Sequence, residues 1–169
     1  MQNTLEISGK FIIELYDKDN VLKQRVVKHN RVVDTGLAQI ASLVAGPTND
    51  GDAYITIPTH MGIGSVGDAV VAQDATLRHE IYRNEFDSVK RTDNAVEYKT
   101  TFKPAQPNVD TCRVEEIALF NAPSEGCMLN RCVFQPIYKG KDDTIIVTYV
   151  IEFLALESTY DTKHEDVTP

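Results

Sequence analysis

His29, His60, His79 and His164 stand apart along the chain. No His-Glu-x-x-His, His-x-His or His–Cys cluster occurs, so a metal site would have to be assembled from distant segments. Cys112, Cys127 and Cys132 are odd in number and lack the Cys-x-x-Cys spacing of zinc and redox sites. Cys127 and Cys132 lie an odd offset apart on one expected strand, so they face opposite ways and cannot bridge. Reduced thiols are the expectation, with an inter-subunit disulfide as the sharper alternative. Glu115 and Glu116 are adjacent on an expected strand and should point to opposite faces, poor geometry for an acid–base pair. One should meet a base and the other water. Arg78-His-Glu80 is the densest polar trio and reads as an ion-paired surface turn.

Two motifs look like ligand sites and fail on context. Gly62-Ile-Gly64-Ser-Val-Gly67 has the spacing of a dinucleotide fingerprint. The next residue that matters is Asp68, which would repel a phosphate, and no acid ends a second parallel strand. A glycine-shaped turn is expected there instead. Ser65 has the wrong spacing for a nucleophile elbow. Asp17-Lys-Asp-Asn20 hints at calcium, but the sixth and twelfth positions of that loop are Leu22 and Lys28, not Gly and Glu. It reads as a turn. No catalytic, metal or cofactor residue is assigned, and the chain is not expected to be an enzyme.

The elements that would hold these residues are mostly strands. Arg113–Ala122, Cys127–Tyr138 and Thr144–Phe153 read as three strands of an antiparallel meander, parted by Pro123-Ser-Glu-Gly126 and Lys139-Gly-Lys-Asp-Asp143. Ile145, Val147, Tyr149, Ile151 and Phe153 share one face, which marks a long, central last strand. Lys10–Tyr16 and Val21–His29 form a hairpin, with Phe11, Ile13 and Leu15 on one face. Ile81–Arg91 and Ala95–Lys103 form another around Thr92-Asp-Asn94. Asp74–Glu80 suggests a short helical turn capped by Asp74. Asp34–Ala45 is the one helix, capped by Asp34 or Thr35, with Leu37, Ile40, Ala41 and Val44 as its buried stripe and Gly46-Pro47 as its stop. Its second face is a candidate contact with a neighbouring subunit. Thr48–Ile57 reads as a surface loop.

The chain has 169 residues, which favours one domain with a real core. Residues 1–155 are expected to form it, and 156–169 a tail or an arm that orders on a neighbour. The formal net charge of -8 disfavours nucleic acid and anionic membranes as partners. No signal peptide or run of about 20 apolar residues is seen, so synthesis in the cytoplasm is expected.

Glu116-Ile-Ala-Leu-Phe-Asn-Ala122, Met128-Leu-Asn-Arg131, Phe134-Gln-Pro-Ile137, Lys139 and the β-branched last strand together carry a resemblance. They are similar to a family of small tailed-bacteriophage virion proteins with the pattern E-I-G-L-F-N-A, M-L-x-R and F-x-P-I-x-K. Ala118 stands where that pattern has Gly. Gly36-Leu37, Met61-Gly-Ile-Gly64, Thr76-Leu77, Glu80 and Arg83 extend the resemblance over Val33–Leu154. Its motifs are structural rather than catalytic.

The expected fold is mainly β: an antiparallel, jelly-roll-like β-sandwich of seven to nine strands with one amphipathic helix. The resemblance implies a structural virion component, most simply a neck or collar protein. It would form a symmetric homo-oligomer that joins or decorates other virion proteins. The alternative is a tail-fibre or baseplate adaptor that touches a receptor. Gly62, Gly64, Glu80, Arg83, Glu116, Arg131, Leu37, Ile40 and Val44 are the candidate structural or interface residues. The two acids and two arginines among them suit ion pairs that fix register or a subunit contact.

Overall fold

The computed structural model describes residues 4–47 and 56–156, and the side chains of 5–47 and 56–154. The expected arm therefore lies, beyond Leu156, outside the described residues, as does most of the 48–57 loop. The described chain is an antiparallel β-sandwich with one helix. Its elements are β1 (Thr4–Tyr16), β2 (Leu22–His29), β3 (Arg31–Val32), α1 (Asp34–Ala45), β4 (His60–Gly64), β5 (Glu80–Glu85), β6 (Ser88–Thr92), β7 (Ala95–Phe102), β8 (Thr111–Phe120), β9 (Met128–Gly140) and β10 (Thr144–Leu156). The first sheet runs β2-β1-β10-β7-β6 and the second β3-β9-β8-β4-β5.

Period-two alternation builds the first sheet. Phe11, Ile13 and Leu15 of β1 and Ile145, Val147, Tyr149 and Ile151 of β10 turn inward and are buried. Phe11 lies opposite Tyr149 in the β1–β10 ladder, with ring centroids 4.4 Å apart. β10 is central, as its pattern suggests, but it does not extend a meander. The chain crosses between sheets after β9, and β10 pairs with β1 and β7. The expected Ile81–Arg91 strand also divides. It leaves the second sheet at Glu85 and re-enters the first at Ser88, so β6 and β7 form the hairpin. This division and the short β3 bring the strand count among the described residues to ten.

At the β9–β10 turn, Asp143 accepts bonds from Gly140 N–H (2.9 Å) and Lys23 Nζ (2.7 Å). Burial alone would raise the Asp143 carboxyl. The bonds from Lys23 and Gly140, with the Lys23 and Lys139 charges, outweigh it and hold the group below the usual aspartate value. Its stabilisation is then full above the unfolded value of about 3.9 and fades as pH falls through the lower folded one. Asp143→Asn should cost about 1 kcal/mol at neutral pH. Urea midpoints of the two proteins should converge by about pH 2; a gap of undiminished size there would rule out the carboxylate charge as its source.

The second sheet is covered on both faces. Its inner face joins the main core through Met61, Ile63, Val114, Ile117, Leu119 and Ile137. On its outer face Val33, Leu77, Ala118, Phe120 and Met128 form a smaller cluster. Double cover explains why β8 is buried at every residue from Val114 to Phe120.

The helix sits differently from its expected placement. Gly36 and Gln39 are its buried residues, Ile40 is half-buried, and Leu37, Ala41 and Val44 face outward. Gly36 causes this: a Cβ there would lie only 1.8 Å from Leu129 O, so the helix backbone rests directly on β9. The N-cap position is Val33, with no side-chain cap. Thr35 Oγ1 donates to Met128 O (2.7 Å) and helps pin α1 to β9.

Candidate functional site

The densest polar arrangement lies on the outer face of the second sheet, where residues 65–79 cross it without regular helix or strand. Arg131 projects there from β9 and has no exposed side-chain surface. Its Nε donates to Glu116 Oε2 (2.8 Å), one terminal nitrogen to Asp74 Oδ2 (3.0 Å) and Asp68 O (3.1 Å), and the other to Val66 O (3.2 Å). Glu116, equally buried, accepts the backbone N–H groups of Arg78 (3.0 Å) and His79 (2.8 Å). Asp74 accepts Val71 N–H (3.1 Å) and the Arg78 guanidinium (2.7 Å). Two carboxylates and two guanidiniums thus close a clasp with no net charge. Charge burial is tolerable in such a network because each ion has partners.

Small residues make the room. Gly62 and Gly64 are strand residues of β4, so the stretch Thr59–Gly64 holds the short buried strand that its residues suggest, and the glycine-shaped turn expected over Gly62–Gly67 does not begin at Gly62. Cross-strand from Gly62 lies Ala118, and from Ala118 lies Arg131. A Cβ on Gly64 would come within 2.4 Å of Glu116 Oε1 and 2.6 Å of His79 O. The residues from Asp74 to His79 form no helical turn, because Asp74 is spent on the clasp.

Glu115 and Glu116 are not divided between faces. The ladder goes from Val114↔Ile137 to Glu116↔Val133, so Glu115 alone opposes three residues of β9, including Pro136. The bulge turns both carboxylates toward residues 64–68. The Glu115 side chain lies beside Gly67, and the Glu116 carboxylate beside Gly64. Glu115 pairs with Arg113 (2.6 Å), so neither acid is left to water alone.

Glu80 and Arg83 form a second, separate pair. Arg83 grips the Glu80 carboxylate with two bonds, 2.7 and 2.6 Å. Another nitrogen donates to Ala122 O and Glu125 O, both at 2.9 Å. The guanidinium carbon stands 3.5 Å from the Phe120 ring centre. Arg83 therefore ties the Pro123–Gly126 turn to the sheet, where Gly126 takes a φ of 74°. The sequence singles out Glu80, Arg83, Glu116 and Arg131 but misses Asp74. The i,i+4 spacing of Asp74 and Arg78 was the available signal.

Ser65 and His79 share a bond of 2.7 Å at a solvent-open groove flanked by Ile81, Val109 and Arg113. Among the described residues no three His, Cys, Asp or Glu are grouped to hold a metal. No described helix is long and apolar enough to cross a membrane. All three thiols are free, and burial raises each of them, Cys132 to about 12. At pH 8 iodoacetamide should label Cys112 and Cys127 first, with Cys132 reacting only as the chain unfolds. Peptide mapping of a labelling time course checks this order, and early modification of Cys132 would contradict it.

Compared with known protein families the sequence has no match, and compared with curated proteins it has none either.

Proposed function

We propose that the chain is a structural component of a tailed-phage virion, most simply a neck or collar protein. In this reading it forms a symmetric homo-oligomer that joins or decorates other virion parts. One observation carries it: Glu116, Arg131 and Arg83 of the resembling motifs are committed to bonds within the chain. Glu116 and Arg131, both fully buried, clamp a long loop onto a sheet, and Arg83 clamps a turn. Groups so fully bonded suit a rigid building block and leave no free acid, base or nucleophile among them. The resemblance over Val33–Leu154 supplies the phage context, since it spans the clasp and the strands that carry it.

The test uses particles of the virus that encodes the chain. Mass spectrometry of density-banded virions should find it in stoichiometric amounts, and gold-labelled antibody should decorate one fixed place, the head–tail junction. Absence from purified particles overturns the virion reading. Label on fibre tips or the baseplate would replace it with a receptor-contacting adaptor.

A further inference from the structure

We propose that the free half of β8 is a strand-addition site, which takes an extended partner peptide whose side chains alternate between apolar and basic. This rests on the assembly reading above and gives it a joint. β4 lies beside β8 only from Glu116 to Phe120, because β4 ends at Gly64. β8 continues back to Thr111, and over Thr111–Val114 it pairs with β9 alone among the described residues. Ser65 N–H turns to His79 O, so the chain leaves the line of β4 at that point. About half of the backbone N–H and C=O groups of Thr111–Glu115 therefore point away from β9. Among the described residues no loop backbone bonds to them. Unpaired groups of this kind are a template for one more strand. Five residues span about 17 Å, which sets the length of strand that fits.

A trough follows this edge and selects the occupant. One groove, about 350 Å³, is lined by Gly67, Asp68, Arg113 and Glu115. Another, about 430 Å³, is lined by His79, Ile81, Pro107, Val109 and Cys112. Both include Ser65 and Arg113, so they run into one another. Ile81, Pro107 and Val109 form an apolar wall, and Val109 is 46% exposed. Two acids of the trough have their cations: Glu115 takes Arg113 (2.6 Å) and Glu80 takes Arg83 (2.6 Å). Asp68 is exposed and has no ion pair among the described residues. This surplus acid, on a chain whose formal net charge is -8, suits a lysine or arginine. A strand laid in the trough turns alternate side chains to opposite faces, so apolar and basic residues should alternate along it. The outer edges of the first sheet are guarded against such a strand. β2 carries Lys23, Arg25 and Lys28, and β6 carries Lys90 and Arg91, cations that repel a basic peptide.

The probe is a fluorescein-labelled, end-blocked heptapeptide of alternating valine and lysine, titrated into the full-length chain and followed by anisotropy and by amide NMR shifts. It should bind with a dissociation constant on the order of 100 µM, and the shifts should centre on Thr111–Glu115 and Ser65–Asp68. Replacing its lysines with glutamate should weaken binding about tenfold or more, and Asp68→Lys should reverse that order. The Asp68 side chain is exposed, so circular dichroism of the variant should match wild type. Methylating the backbone nitrogens of alternate peptide residues removes N–H groups from one edge of the strand at a time. One alternate set should abolish binding, and the other should leave it within about twofold. Loss with both sets or with neither overturns strand addition. An unchanged lysine preference in Asp68→Lys, shifts centred on β2 or β6, or no binding at about 1 mM overturns the site. None of these results bears on whether the chain is found in particles, so the virion reading stands or falls on its own experiment.

Discussion

Arg131→Met should lower the unfolding free energy by about 3–5 kcal/mol, measured by urea denaturation at neutral pH. Methionine fills much of the same volume, so the loss reports charge and hydrogen bonding more than a cavity. The substitution strips a donor from Glu116, Asp74, Asp68 O and Val66 O together. Glu116 keeps two backbone N–H groups, and Asp74 keeps Arg78 and Val71 N–H. Those survivors place the expected loss toward the lower end of the range. They also leave two buried carboxylates with a single cation, which is the unfavourable part. Adding Glu116→Gln to Arg131→Met should therefore recover part of the loss, because the uncompensated charge goes with it. The 65–79 loop should open before the sheets do, exposing Arg78 to trypsin in the variant under conditions where wild type resists. A single variant within about 1 kcal/mol of wild type would mean that the clasp adds nothing measurable to stability.

Period-two alternation is the most legible feature of the residues alone. Phe11, Ile13 and Leu15, or Ile145 through Ile151, alternate so regularly that one face must be dry, and the structure buries that face. The sandwich and its single helix derive from such runs and their turns. Pairing partners are less legible, since alternation says which face is inward and nothing about which strand lies alongside. Hence β10, expected beside β9, lies beside β1 and β7. Bulges are illegible for a related reason. Glu115 and Glu116 face one loop because of what β9 inserts opposite them, a relation between strands some twenty residues apart. The candidate site is half visible. Arg131 and Glu116 carry a motif, whereas Asp74 sits in a stretch whose local pattern points to a capped turn. Helix orientation fails on a glycine: Leu37, Ile40, Ala41 and Val44 form the better apolar stripe, but a backbone contact outweighs it.

Gly36→Ala shows the strength of that contact, because two principles give opposite signs. In an ordinary helix position alanine is favoured over glycine by about 1 kcal/mol through backbone entropy. At Gly36 the added Cβ would lie 1.8 Å from Leu129 O, 2.6 Å from its carbonyl carbon and 3.0 Å from its Cα. These are backbone atoms of β9, which is paired to β8 and, from the next residue on, to β3. The strand cannot yield as a flexible side chain would, so the helix must lift. Lifting it weakens Thr35 Oγ1–Met128 O and Val33 N–Leu129 O and uncovers Val33 and Met128, which are buried in wild type. Steric and burial losses should exceed the propensity gain, for a net destabilisation of about 2–4 kcal/mol. The exposed control Ala38→Gly should lose only about 1 kcal/mol, from propensity alone. Hydrogen exchange separates the two: amides of 34–45 should lose protection in Gly36→Ala well below the global unfolding free energy. A variant as stable as wild type, with that protection intact, would mean that α1 is not held by contact with β9.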